Sequence, residues 1–144
     1  MATHPFLNLQ QKMKTTITPE QALEQIKKGH LSQLKGLDPH GFIHVFDDAM
    51  EVILLNYYQN SLETTPAAII DLNKPEILEY AAKAKGAFLQ LVCGQNHDLS
   101  MDDIGILDII IDMFPEGSDF SWDVEHTESP DFKMRIDLYI VTKQ

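Results

Sequence analysis

The sequence contains a single cysteine, Cys93, and lacks an uninterrupted apolar run of the length that crosses a membrane. One cysteine cannot form a disulfide within the chain, so disulfide scaffolds are excluded. A transmembrane helix needs about 18 or more apolar residues in a row, and no secretory leader pattern is present. We therefore expect a cytoplasmic protein that does not act at a membrane.

Basic side chains are scarce. The chain has 11 Lys and Arg residues against 22 Asp and Glu, which gives a formal net charge of −11 at pH 7. Binding to a phosphate backbone requires clustered cations, and no basic stripe occurs, so nucleic-acid binding is excluded. Because an acidic surface attracts basic ones, we expect a basic protein partner.

Glycine-rich loops and metal-ligand clusters are also missing from the sequence. The seven glycines are dispersed, so the sequence offers no phosphate-binding loop and we expect no bound nucleotide. His40 and His44 have a ligand-like spacing, but Pro39 and Gly41 disfavour a shared helix and no Cys or carboxylate follows at a matching interval. We expect neither a metal nor another cofactor.

Candidate catalytic groups each have a simpler interpretation. Cys93 continues an apolar run and is typical of a small core residue. His126 ends the apolar face of a strand, where a local hydrogen bond accounts for it. Acid–base catalysis by paired carboxylates needs one of them buried, and nothing in the sequence indicates burial of Asp47–Asp48, of Asp102–Asp103, or of Asp108 with Asp112, which we expect on a solvated helix face. No catalytic residue is assigned.

The last third of the chain has the clearest periodicity. Residues 87–93 form a nearly continuous apolar run, which predicts a strand covered on both faces. Ser100 is placed to cap a helix that begins at Met101. Alternating apolar and polar residues predict two more strands, at 119–126 and 132–140.

Turn-forming residues 127–131 join these two strands, so we expect them to pair as an antiparallel hairpin. In that register Glu125 lies opposite Lys133, and Asp123 lies opposite Arg135, on a solvent-exposed face. The alternation also predicts that Trp122 is buried.

The N-terminal half is less regular. We expect residues 1–16 to form a loose arm and residues 17–144 a single α+β domain. Thr18 begins a capping box for a first helix. The pattern then predicts a strand at 42–46 and an apolar helix at 47–58.

Residues 67–70 are expected to form a short strand, and residues 74–83 a helix capped by Asn73. The complete pattern predicts an α+β fold. Specifically, we expect a two-layer α/β sandwich whose mixed sheet contains a β-α-β crossover followed by the antiparallel hairpin, with extra N-terminal helices.

Three segments of the C-terminal half resemble a known family. They are Lys85-Gly-Ala-Phe-Leu-Gln-Leu-Val-Cys-Gly94, Asp98-Leu-Ser-Met-Asp-Asp-Ile104 and Phe132-Lys-Met-Arg-Ile-Asp-Leu-Tyr-Ile-Val-Thr142. In this order they resemble the C-terminal domain of the bacterial tubulin homologue FtsZ, with its "KGxLxxIxGG" strand, "DLxLxEV" helix start and "RVTVIAT" closing strand. The resemblance covers about residues 74–143 and implies the same fold and a partner in cell division or filament assembly. It does not include the family's "GGGTGTG" loop, so it implies no GTPase activity.

One further segment, Ile43-His-Val-Phe-Asp-Asp-Ala-Met50, loosely resembles the family's "NxDFADV" loop, whose aspartates promote GTP hydrolysis on a neighbouring subunit. The family's asparagine falls at His44 and its first acidic residue at Phe46. The catalytic role is therefore not transferred to Asp47 or Asp48.

These observations lead us to expect a non-catalytic protein-interaction module that binds a partner through an acidic surface. The alternative is an acidic inhibitor or immunity-type protein that neutralises a basic toxin or nuclease. A third interpretation is an enzyme whose pocket residues are dispersed along the chain. A homo-oligomer is compatible with each of the three interpretations. The unpaired negative charge is expected at Asp47, Asp48, Asp98, Asp102 and Asp103.

Overall fold

A computed structural model describes residues 12–29, 44–46, 49–59, 65–95, 100–127 and 133–142. Its strands are β1 (Lys12–Ile17), β2 (Glu51–Gln59), β3 (Ala84–Cys93), β4 (Asp119–His126) and β5 (Met134–Thr142). Its helices are α1 (Pro19–Gly29), α2 (Pro66–Leu72), α3 (Lys74–Ala81), α4 (Met101–Ile104) and α5 (Ile106–Ile111), and a 3-10 turn spans His44–Phe46.

The strands form one mixed sheet in the order β1-β2-β5-β3-β4. Pairing is antiparallel from β1 through β2 and β5 to β3, and β3 pairs with β4 in parallel. The chain between the parallel strands contains α4 and α5, which is the predicted β-α-β crossover. The α+β class and the mixed sheet are confirmed.

The predicted antiparallel hairpin of β4 and β5 is wrong. β5 lies between β2 and β3, so β3 separates β4 from β5. Glu125 is therefore beside Val92, and Asp123 is beside Gln90. The physical reason is that β5 is buried on both faces: Ile136 and Leu138 on one side, and Tyr139 and Val141 on the other, are all buried. Such a strand belongs in the interior of a sheet, whereas the half-exposed β4 suits an edge.

The larger core lies between one face of the sheet and helices α2 to α5. Its buried members come from the three central strands, from α2, α3 and α5, and from the segment after α5, and the partly buried Ile104 of α4 packs against them. Among the fully buried members are Leu55, Leu89, Leu91, Ile136, Leu138, Ile77, Ile106 and Ile110.

The opposite face of the sheet is covered at one end, by α1 and the 3-10 turn. The predicted capping box begins α1, because the Gln21 amide donates to Thr18 Oγ1 and the Thr18 amide donates to Gln21 Oε1. Ala22 and Ile26 of this helix are buried against the sheet. The ring of Tyr139 packs edge-on against Phe46, with centroids 6.3 Å apart. Among the residues that the structure describes, this second cluster leaves the other end of the face uncovered.

Three N-terminal predictions are wrong in part or entirely. Residues 12–16 of the predicted loose arm belong to β1, while residues 1–11 lie outside the described residues. Much of the predicted helix 47–58 is instead the strand β2. Its continuous apolar run is buried because a strand lies on each side of β2 and both faces of the sheet are covered there. The predicted strand at 42–46 is a 3-10 turn at His44–Phe46.

The predicted strand at 67–70 is also wrong, because these residues form α2. Thr65 caps this helix by accepting a hydrogen bond from the Ala68 amide at 3.1 Å, and Pro66 occupies the first turn. Trp122 is 45% exposed rather than buried. It lies on β4, which has no neighbour on its outer side among the described strands.

Candidate functional site

Two of the five aspartates predicted to bind a partner, Asp102 and Asp103, lie in the part of the chain that the structure describes. Asp102 is exposed, as predicted. Asp103 is only 4% exposed, and its carboxylate accepts a hydrogen bond from the Ser100 amide at 2.9 Å. In return, Ser100 Oγ accepts from the Asp103 amide at 3.2 Å. Asp103 therefore caps α4 and is not part of an accessible surface. Asp47, Asp48 and Asp98 lie outside the described residues.

Asp102 belongs to an acidic surface that extends beyond the five aspartates predicted to bind a partner. No Lys or Arg occurs between Lys85 and Lys133, yet 11 of the 22 acidic residues of the chain lie in this interval. The signal in the sequence is this cation-free run. Along α4, α5 and the loop after them, the exposed carboxylates are Asp102, Asp108, Asp112 and Glu116.

Apolar side chains are exposed on the same two helices. Met101 is 80% exposed, and Ile109 and Ile111 are each 40% exposed. Exposed apolar groups next to charged ones are typical of sites that contact another protein. We call this the α4–α5 surface and define it by Met101, Asp102, Asp108, Ile109, Ile111 and Asp112.

A second candidate site lies on the opposite face of the sheet, where α1 and the 3-10 turn leave it open. It is a cleft of about 510 Å³. Side chains of the central strands make its polar floor, and Met13 of β1 and Gln25 of α1 contribute to its walls. We call it the sheet cleft.

Asp137 is at the centre of the sheet cleft and is 2% exposed. Arg135 Nε donates to both of its carboxylate oxygens, at 2.9 and 3.0 Å, and Asn56 Nδ2 donates to Oδ1 at 2.7 Å. Burial raises the pKa of Asp137, while Arg135 and Asn56 act in the opposite direction. The exposed, charge-matched face expected from a β4–β5 hairpin is thus replaced by a buried ion pair.

Glu125 lies at the β4 side of the sheet cleft. Gln90 Nε2 donates to its Oε2 at 3.0 Å. Burial raises the pKa of Glu125 to about 7; Arg135 lowers it, and the carboxylates of Asp123 and Asp137 raise it. This side chain therefore changes its charge near neutral pH.

Other chemistry is limited in the described part of the chain. It contains no group of three or more His, Cys, Asp or Glu residues that could hold a metal ion. Cys93 is buried at the end of β3, as predicted for a core residue. None of the described helices is long and apolar enough to cross a membrane.

No protein-family model and no curated protein matches the chain. Among solved structures, the chain is similar to a structure described as "FtsZ dimer, empty (M. jannaschii)", with a TM-score of 0.57 and 16% sequence identity. The similarity covers 74% of this chain and 31% of that one, so it spans less than a third of the other protein. The chain therefore has an FtsZ-like fold.

Two other solved structures are more distant. A putative translation initiation inhibitor from Salmonella typhimurium has a TM-score of 0.36 and 12% identity, over 67% of this chain and 92% of that one. Thiamine monophosphate kinase from Aquifex aeolicus has a TM-score of 0.36 and 15% identity, over 85% of this chain and 41% of that one. Similarity at this level supports no conclusion about either fold or function.

Proposed function

We propose that the protein is a non-catalytic interaction module that binds a basic protein partner through the α4–α5 surface. The observation that carries this proposal is the presence of exposed carboxylates beside exposed Met101, Ile109 and Ile111 in a run of chain without any Lys or Arg. Carboxylates speed the approach of a basic partner and select its charge. The apolar side chains add area that becomes buried on contact.

We further propose that the FtsZ-like unit corresponds to the C-terminal domain of that family, and that the partner acts in cell division or filament assembly. The order of the segments 85–94, 98–104 and 132–142 supports this assignment, and so does a match to 31% of the FtsZ chain, a share typical of one domain. The partner in this proposal is a protein rather than a nucleotide, because the sequence has no glycine-rich phosphate loop.

The test is quantitative affinity capture from the native cell with two variants of equal net charge. The first variant neutralises the α4–α5 surface by Asp102→Asn, Asp108→Asn and Asp112→Asn. The control variant neutralises exposed carboxylates on α1 and β2 by Glu20→Gln, Glu24→Gln and Glu51→Gln.

We expect the wild type and the control to retain the same partner, and the first variant to retain about tenfold less of it, since a change in affinity of about 1.4 kcal/mol has that effect. Equal losses from both variants would show that only net charge matters, and no loss from either would contradict the proposed surface. If the retained protein is a toxin or a nuclease, the partner is of the immunity type and not a division protein.

A further inference from the structure

The polar residues of the sheet cleft lie in two adjacent rows across the sheet. One row joins Asn56, Asp137 and Gln90, and the next joins Tyr58, Arg135, Val92 and Glu125. The neighbouring rows on the same face are apolar and lie under α1 and the 3-10 turn. The sheet face is therefore polar where the helix and turn leave it open.

This polarity is not required by the fold. Removing Asp137 and Arg135 from water costs free energy, and apolar side chains of similar volume at such positions are often as stabilising as a buried ion pair. Gln90, which is nearly fully buried, holds the carboxylate of Glu125 in place instead of packing against apolar neighbours. Buried, hydrogen-bonded polar groups around a cleft are typical of a binding site.

The charge in the sheet cleft selects the class of ligand. Asp137 and Arg135 form an ion pair with each other, so they nearly cancel. Glu125, where its carboxyl is ionised, then leaves the β4 side of the cleft negative. Met13 and Leu54 provide an apolar wall and floor. The cleft volume of about 510 Å³ is within the usual range for sites that hold small molecules.

We propose that the sheet cleft binds a small organic cation, an alkylamine or alkylguanidine, whose charged end contacts Glu125 and whose alkyl chain extends along the cleft floor toward Leu54. The cleft and the α4–α5 surface are on opposite sides of the sheet. The two binding activities can therefore be tested independently.

Binding of a cation is coupled to the ionisation of Glu125. The charged groups that face this carboxyl are Arg135 and Asp137 of β5 and Asp123 of β4, and the Tyr139 hydroxyl of β5 also interacts with it. A bound cation favours the ionised carboxylate, so binding releases a proton and affinity increases with pH. For a group with a pKa of about 7, affinity is expected to increase about tenfold from pH 6 to pH 8.

The experiment is a titration of the ¹⁵N-labelled protein with n-butylguanidinium, followed by NMR of the side-chain amide groups of Asn56 and Gln90. Both amides lie in the cleft, so they report contact there. We expect saturable shifts of both signals with n-butylguanidinium and no shift with n-butanol, which has the same alkyl chain without the charge. No saturable shift at millimolar n-butylguanidinium would overturn the proposal.

Two variants that remove the same charge give the matched control. Glu125→Gln is expected to weaken n-butylguanidinium binding about tenfold, whereas Glu79→Gln on α3, at an exposed carboxyl outside both proposed sites, is expected to leave it unchanged. Equal weakening by both would mean general attraction to an acidic protein and would overturn the site. The pH series uses the wild-type protein, so it gives an answer even if Glu125→Gln does not fold; affinity that is equal at both pH values contradicts the proposal.

Discussion

Asp137 is the most constrained charged residue among those described. Its carboxylate receives three hydrogen bonds, from Arg135 and Asn56, in a place that water hardly reaches. A carboxylate buried in this way is tolerated because each oxygen has a donor. A variant that removes only one of the two charges leaves the other without its ion-pair partner.

Asp137→Ala is therefore expected to destabilise the protein by about 2–3 kcal/mol, because it leaves Arg135 partly buried without its counter-ion. The double variant Arg135→Met with Asp137→Leu is expected to recover most of that loss. Urea unfolding at neutral pH measures both. A single variant as stable as the wild type would contradict the structural importance of the ion pair.

Glu125 gives a prediction about the pH dependence of stability. Its pKa rises from an ordinary value of 4.5 to about 7 on folding, so between these values the folded state binds more protons than the unfolded state. Stability therefore decreases as pH rises through this window, and the decrease is complete above it.

Glu125→Gln removes this dependence. At pH 8 the variant is expected to be more stable than the wild type by about 1 kcal/mol, a reduced figure because water screens this partly exposed carboxyl. Near pH 4, where the wild-type carboxyl is protonated in the folded state and mostly protonated in the unfolded state, the two proteins should be nearly equally stable. Urea titrations at the two pH values test this, and a wild type that gains stability toward pH 8 relative to the variant would contradict the raised pKa.

At the scale of elements, the parallel pair β3–β4 depends on a close approach at Gly86. A Cβ at this position would lie 2.3 Å from the backbone oxygen of Asp119, which is too near for any side chain. At Gly105, between α4 and α5, an added Cβ would lie 3.3 Å from Asp102 O, and the backbone is in the ordinary helical region.

Gly86→Ala is thus expected to separate the two strands locally and to destabilise the protein by about 2 kcal/mol or more. Gly105→Ala is the matched control and is expected to change stability by less than about 1 kcal/mol, because the tight contact with Asp102 O opposes the helix preference of alanine. Thermal or urea unfolding compares them. Similar stabilities of the two variants would mean that β3 and β4 are not in close parallel contact at Gly86.

The elements predicted correctly from sequence are those with local signals. The capping residues Thr18 and Ser100 determine where α1 and α4 begin, and the apolar run before Gly94 determines β3. The identity of β2 depends instead on neighbours far away in the chain, because the run Val52–Leu55 suits a helix or a buried strand equally well. The position of β5 beside β3 also depends on residues far apart in the chain. The turn-forming residues 127–131 indicated β4 as its neighbour, which is wrong.

The candidate sites also combine features that have a local sequence signal with features that depend on residues far apart in the chain. Exposure of Asp102 follows from its place in the first turn of α4. Burial of Asp103 was missed, although an acidic residue three positions after Ser100 is the usual pattern of a capping box. The sheet cleft was not predicted because Gln90 and Asp137 meet only when β3 and β5 are adjacent.

At the scale of the whole molecule, the charge is unevenly distributed along the chain. Half of the acidic residues, 11 of 22, lie in the cation-free run between Lys85 and Lys133. Exposed basic residues such as Lys14, Lys74 and Lys83 precede this run. This arrangement favours a basic partner on the α4–α5 surface and disfavours anions there.

The same reasoning gives a prediction about GTP. The sequence has no glycine-rich loop whose amides could surround phosphates, and the net charge of −11 repels a triphosphate. Equilibrium dialysis with GTP and Mg²⁺ is expected to show no binding at micromolar concentrations. Saturable binding would mean that the FtsZ-like unit has retained a nucleotide-binding role.

The central claim is that recognition occurs through the carboxylates of the α4–α5 surface, and stopped-flow association kinetics with the captured partner test it most directly. Steering by these charges is screened over about 8 Å at physiological ionic strength. The association rate of the wild type should therefore fall as salt rises while dissociation changes little. The Asp102→Asn, Asp108→Asn, Asp112→Asn variant should associate more slowly and with a weaker dependence on salt. An association rate that is indifferent to salt and equal in the two proteins would contradict the account.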